Sequence, residues 1–245
     1  PTQDNFSLDM AAMAAAVNKK TKVVLINSPN NPTGQVYPEE DLLALGSLLE
    51  KKSKDGKRTI YLISDEPYRK IVYDGVKVPS IFTSYKDSII GTSYSKDISI
   101  PGERIGFIAI NPAATYRQEL IAGMTVANRI LGFVNAPALM QRVVACMQGM
   151  SVEISEYARK REILCSGLAE LGYEFIKPPG TFYLFPRSPI PDDVEFTNAL
   201  KEERVLVVPG SGFDGPGYFR IAFCVDDETI INALPGFKRT MEKYI

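Results

Sequence analysis

The stretch 22-KVVLINSPNNPTG-34 joins a continuous apolar run to a loop of serine, asparagine, proline and glycine. An uninterrupted apolar run of strand length reads as a β-strand buried on both faces, the kind found in parallel sheets sandwiched by helices. The pattern recurs: 59-TIYLIS-64 runs into 65-DEPYR-69, and 88-SIIGTS-93 runs into 94-YSK-96. Between the first two runs lies 38-PEEDLLALGSLLEKKSK-54, which starts with proline and three acids and ends in lysines. That charge order suits a helix dipole, and Leu42, Leu45, Leu48 and Leu49 fall on one stripe. Upstream, Ser7 is expected to cap an alanine-rich helix over 8–17. Downstream, 105-IGFIAI-110 makes a fourth strand. Strands alternating with helices predict an α/β fold built on a mostly parallel sheet.

The composition changes after Pro137. Residues 138–171 read as one long helical stretch. Short strands follow at 173-YEFIK-177 and 182-FYLF-185, then a helix near 194–203, strands at 205-VLVV-208 and 218-YFRIAF-223, and a terminal helix from Asp226. The expected organisation is therefore a large domain over 1–137, then a connecting helix and a smaller C-terminal α/β domain over 138–245.

Composition bounds the function. In 245 residues, 45% hydrophobic and 23% charged, there is enough apolar material for a sizeable core. A formal net charge of -1, with no basic face in the Lys/Arg distribution, argues against a nucleic-acid partner. No apolar run reaches membrane-spanning length. Cys146, Cys165 and Cys224 are too scattered for a zinc site or a disulfide framework and read as core thiols of a reducing compartment, the cytoplasm. The acceptor-like Asn5-Phe6-Ser7 is read as chance, since no secretory signal accompanies it. There is no histidine, so acid–base chemistry falls to Lys, Asp, Glu, Tyr or Cys. The chain opens on Pro1 rather than an initiator methionine and is expected to be part of a longer protein.

The chemistry collects on the connections, because open parallel sheets bind ligands beyond the carboxyl ends of their strands. Asn31, Asp65, Tyr68, Ser93 and Lys96 all follow such ends. Each loop taken alone reads as a turn or a solvated surface, and the recurrence at three successive strands is what points to a site. A lysine that attacks a carbonyl needs a depressed pKa, which desolvation and a cation such as Arg104 can supply, and it forms a Schiff base. A carboxylate such as Asp65 can keep a pyridine nitrogen protonated, while Ser93 and Arg104 offer donors suited to a phosphate. Pyridoxal phosphate needs this combination.

With these residues in view, the chain resembles the class I aminotransferases, the aspartate aminotransferase-like group among the fold-type I pyridoxal-phosphate enzymes. The resemblance rests on NSPNNPTG (27–34), SDEPYR (64–69), SYSKDISIPGERIGF (93–107), PGTFYLFP (179–186) and VVPGSGFDGPGYFRIAF (207–223), in an order and spacing that cover nearly the whole chain. It implies that Lys96 forms the internal aldimine and shuttles the proton between the substrate α-carbon and cofactor C4′. Asp65 would pair with the pyridine nitrogen, and Asn31 and Tyr68 would hydrogen-bond the ring O3′. Ser93 and Arg104 would hold the phosphate, with Ser95 a weaker candidate, and Arg220 would take the substrate α-carboxylate. Arg129 lies near a position where some dicarboxylate-specific relatives carry an arginine, one residue out of register.

The implied reaction moves an amino group between an L-amino acid and a 2-oxo acid, in a homodimer. The alternatives are another fold-type I reaction (β-lyase, decarboxylase or synthase) and the aminotransferase-like domain of a transcription regulator. Family members carry a longer amino-terminal part, with a phosphate-binding turn, a ring stacked on the cofactor and a tyrosine donated to the partner. No counterpart is found here, so weak activity and poor cofactor retention are expected of this chain alone. The literal GxGxxG at 210–215 is followed by proline and a strand rather than a helix, and reads as a flexible loop.

Overall fold

The computed structural model of the protein describes residues 5–244. The chain forms two compact units. The first comprises Pro1–Pro29, Val36–Ile71 and Lys77–Val152, and the second Asn30–Gln35, Val72–Val76 and Glu153–Ile245. The first unit thus runs on to Val152, past the boundary expected at Pro137. Two loop segments from the front of the chain, including the NNPTG loop, belong to the second.

The first unit carries, in chain order, α1 (Met10–Ala16), β1 (Val23–Asn27), α2 (Glu39–Asp55), β2 (Tyr61–Asp65), α3 (Ile81–Ser84), β3 (Ser88–Ser93), α4 (Tyr94–Asp97), β4 (Gly106–Ile110), α5 (Arg117–Ile130) and α6 (Ala138–Cys146). Asp9, not Ser7, caps α1, accepting from the Ala12 N–H at 2.9 Å. The sheet order is β1-β2-β3-β4, with the first two pairings parallel and β3–β4 antiparallel. Helix α2 makes the crossover between β1 and β2. Its Leu42, Leu45 and Leu49 pack with Ile26, Ile60, Leu62, Ile81 and Tyr85, and each such side chain contributes about 1.5–3 kcal/mol on burial. Gly46 is needed where α2 meets α3, because a Cβ there would lie 2.2 Å from the Ser84 carbonyl oxygen.

The expectation that β1 is buried on both faces fails. Ile26 points into the α2 core, whereas Leu25 is 67% exposed and Val23 also lies open. On the other edge strand, Phe107 and Ile108 are exposed, and α5 has no buried residue. A continuous apolar run states that two faces want cover; within this unit only one receives it. Edge strands and a helix left in this condition favour association. We expect the isolated chain to enhance the fluorescence of an apolar dye and to self-associate in sedimentation at micromolar concentration. A monomer with no dye response would refute this.

The long helix expected over 138–171 is interrupted after α6. Gly149 adopts φ +89, and the Val152 N–H bonds the Asp97 carbonyl oxygen at 2.6 Å, pulling the backbone out of helical geometry. The second unit begins with α7 (Ile154–Glu170) and continues through β5 (Tyr183–Leu184), α8 (Asp193–Glu202), β6 (Val208–Pro209), β7 (Phe219–Ala222) and α9 (Asp227–Glu242). Its antiparallel sheet has the order β5-β7-β6. Residues 173–177, expected as a strand, are irregular, because Tyr173 is spent on the core. Its ring meets those of Phe196, Phe219 and Phe237 at centroid distances of 6.2, 6.1 and 5.7 Å, and its hydroxyl donates to the Phe237 carbonyl oxygen.

The two early segments are tied into this unit by the backbone. Gly180 N–H bonds the Gly34 carbonyl oxygen at 3.0 Å, and Val72 bridges Gly180. Gly34 has φ +73, and a Cβ on it would lie 2.3 Å from Pro178 Cβ, so the glycine of NNPTG is demanded twice over. From α7, the buried Arg161 forks onto both Asp74 carboxylate oxygens at 2.9 Å, donates to the Pro178 carbonyl oxygen and stacks on Tyr73. Among the described residues, no helix is long and apolar enough to cross a membrane.

Candidate active site

In the first unit, register brings the strand ends abreast. Asn27 pairs with Asp65 and Asp65 with Gly91, so the carboxyl ends of β1, β2 and β3 form one ledge. Asn27, which sequence reasoning did not single out, holds that ledge. Its Nδ2 donates to the Asp65 carbonyl oxygen at 2.9 Å and faces the Asp65 carboxylate at 3.3 Å. Only strand register, a long-range property, links these two residues. The Asp65 side chain is open to solvent, yet the surrounding protein desolvates its carboxyl and pushes its pKa above the ordinary value. A nearby cation would relieve that penalty.

After Asp65 the chain turns tightly. Glu66 is buried, and its pKa is raised by desolvation in spite of a 2.7 Å ion pair with Arg69. The Thr92 hydroxyl donates to the Glu66 carbonyl oxygen at 3.0 Å, locking this turn to β3. Tyr68 is buried, and the Lys96 ammonium stands 6.0 Å from the centroid of its ring. Lys96 is itself half-buried, on the single turn of α4. Ser93 caps that turn, accepting from the Ser95 N–H at 3.4 Å, which is how a serine-rich stretch orients the lysine. The adjoining Asp97 is buried and pairs with Lys70 at 3.3 Å.

Arg104 follows a 3₁₀ turn over Pro101–Glu103 and adopts φ 49. Tyr94 N–H bonds the Ile105 carbonyl oxygen, and Ser93 faces Gly106, so Arg104 and Ser93 occupy the same end of the β3–β4 pair. The Arg104 guanidinium is exposed and donates to the Pro101 carbonyl oxygen at 2.8 Å. Arg129 lies exposed near the end of α5.

Asn31 and Arg220 belong to the second unit, where they touch. Arg220 Nη1 donates to Asn31 Oδ1 at 3.0 Å. The guanidinium carbon is 4.5 Å from the Tyr183 ring centroid and 4.6 Å from that of Phe213, and Arg220 Nε is buried without a hydrogen-bond acceptor. A buried guanidinium N–H left unmatched costs free energy until an anion meets it. The loop at 210–215, read as flexible, is instead a 3₁₀ turn over Gly210–Phe213 pinned to α8. Asp193 accepts from Ser211 N–H at 2.8 Å, Ser211 hydroxyl at 2.7 Å and Gly217 N–H at 3.2 Å. Burial alone would raise the Asp193 pKa, but these hydrogen bonds outweigh it and hold it below the ordinary value.

Residues 1–236 match the family model for aminotransferase class I and II. The chain belongs to that family. A probable aspartate aminotransferase of Methanocaldococcus jannaschii is 31% identical over 98% of this chain and 64% of its own length. The aspartate aminotransferase of Bacillus subtilis is 31% identical over 99% of this chain and 63% of its own length. A crystal structure of an amino transferase from Eubacterium rectale superposes with a TM-score of 0.96 at 43% identity, over 100% of this chain and 62% of that one. The aminotransferase-family chain described here therefore spans roughly three-fifths of each relative, and within that span its α/β architecture is theirs.

Proposed function

We propose that this chain supplies the lysine-bearing part of a pyridoxal-phosphate-dependent aminotransferase that moves an amino group between an L-amino acid and a 2-oxo acid. The observation that carries the reading is the ledge of strand ends: a desolvated Asp65 held by Asn27, beside buried Tyr68 and half-buried Lys96. Relatives named as aminotransferases of aspartate, prephenate and aromatic amino acids support the reaction class over elimination, decarboxylation or gene regulation.

The donor set fits the cofactor. Asp65, whose carboxylate is penalised where it stands, gains most from a protonated pyridine nitrogen and would keep that proton in place. Asn31 and Tyr68 are suited to hydrogen-bond the ring oxygen, and Ser93, Ser95 and Arg104 to hold the phosphate. When bound, pyridoxal phosphate supplies a ring that stabilises negative charge developing at the substrate α-carbon. Lys96 Nζ is the base for the α-carbon proton, since the chain has no histidine, and Arg220 orients the α-carboxylate as a bidentate partner. The exposed apolar faces of β1, β4 and α5 suit the longer polypeptide and a homodimer, and the free thiols suit the cytoplasm, although only Cys165 is the buried core thiol expected and Cys146 and Cys224 are exposed.

The test is amino transfer by the full-length polypeptide, offered 2-oxoglutarate and a panel of L-amino acids, with glutamate formation and the cofactor absorbance followed together. Glutamate formed with a loss of the donor amine is expected. Release of an elimination or decarboxylation product instead, or no turnover with any donor, would sink the reading.

A further inference from the structure

We propose that Phe213 and Asp193 are positioning residues for Arg220: Asp193 pins the 210–217 loop, the loop presents Phe213, and Phe213 closes an aromatic clamp with Tyr183 that fixes the guanidinium for a carboxylate. The inference rests on the reading of Arg220 as the carboxylate receptor.

The clamp is built from three separate stretches of chain. Tyr183 pairs with Ala222 across β5 and β7, which sets it diagonal to Arg220 on the same face of the sheet. Phe213 comes from the 3₁₀ turn and leaves its ring only half-buried, with Phe185 edge-on at 6.5 Å. Two aromatic rings with centroids within 4.6 Å of the guanidinium carbon suit a cation, and they remove rotamer freedom from a long side chain before any ligand arrives. Asn31 takes one N–H at the rim, and Nε stays buried and unmatched. The result is a cation held rigid with a donor still to satisfy.

The turn is held by more than the ring contact of Phe213 with Phe185. Its backbone is close-packed, since a Cβ on Gly210 would lie 2.1 Å from the Gly215 carbonyl oxygen, and Asp214 adopts φ 56. Such a conformation persists only when its surroundings over-determine it. The buried Asp193 carboxylate does this by accepting three hydrogen bonds from residues on both sides of Phe213.

Propionate offers one carboxylate and no carbonyl, and the part of its affinity for the chain that Arg220→Gln removes, titrated by the shift and width of its methyl resonance, reads Arg220 apart from the exposed Arg104. Phe213→Leu is expected to weaken propionate roughly tenfold, about what loss of a desolvated cation–π face costs, with Phe213→Tyr restoring it and the thermal midpoint barely moved. Asp193→Asn should weaken it about fivefold, because an amide cannot replace both accepting oxygens. The chain contains no tryptophan, so Phe213→Trp places a sole reporter against the guanidinium. Adding Asp193→Asn to it should shift the emission to the red as the loop loosens.

Arg220→Gln separates the two ideas. If it leaves propionate binding intact, the carboxylate reading fails and the clamp proposal falls with it. If it abolishes binding while Phe213→Leu binds like the unaltered chain, the reading stands and the clamp is overturned. Should Asp193→Asn fail to fold, the Phe213→Leu and Phe213→Tyr pair decides.

Discussion

Replacing Lys96 with alanine is expected to abolish site-specific retention of pyridoxal phosphate. Incubation with the cofactor followed by borohydride should leave the unaltered chain with its mass increase on the peptide that holds Lys96. Lys96→Ala should leave only a thin label scattered over exposed lysines such as Lys54. The reason is local: Lys96 is half-buried beside the Tyr68 ring, on a helical turn capped by Ser93. Truncating a half-buried side chain on a one-turn helix should cost the fold no more than about 0.5 kcal/mol, so loss of retention would not reflect unfolding. Undiminished labelling transferred to a neighbouring lysine would sink the assignment. Asp65→Asn should keep the label and weaken retention about tenfold, because an amide cannot balance a cation.

The largest expected loss of stability lies in the second unit. Phe219 is fully buried on β7, with its ring against those of Tyr173, Phe196 and Phe237. Removing it leaves a cavity that three rigid rings cannot close, so Phe219→Ala should cost about 3–5 kcal/mol, a large share of the roughly 5–15 kcal/mol available to a domain. The urea midpoint, followed by tyrosine fluorescence, should fall accordingly. Phe133, 72% exposed, is the matched control, and its replacement by alanine should change the stability by less than about 0.5 kcal/mol. Equal effects would mean that the ring cluster does not carry this unit.

How much of this could be read from residues alone depended on range. Helix α2 was legible because proline, three acids, a leucine stripe and terminal lysines are all local signals, and it spans Glu39–Asp55 as the pattern indicates. The strands of the first sheet were legible for the same reason. The break between α6 and α7 was not, since Gly149 is one glycine in an otherwise helical composition and its effect depends on Val152 reaching Asp97. Tyr173 looked like the start of a strand because aromatic residues favour sheets, but three rings and a carbonyl claimed it first. Asn27 and Phe213 lie inside quoted motifs but were given no role by them: the one matters through strand register, the other through a turn anchored by a carboxylate from α8.

The sequence by itself determined the α/β class, the order of the polar loops, and the lysine, aspartate, tyrosine and arginine that the family resemblance picks out. The class and the loop order are written in periodicity and spacing, which act over a few residues, and the four side chains are what the resemblance implies. Only the tertiary structure decided that Asn27 grips Asp65, that NNPTG joins the C-terminal unit through Gly34 and Gly180, and that Arg220 lies between Tyr183 and Phe213. Those depend on contacts between residues far apart in the chain, which no local pattern encodes and which form only when burial and backbone hydrogen bonding bring the segments together.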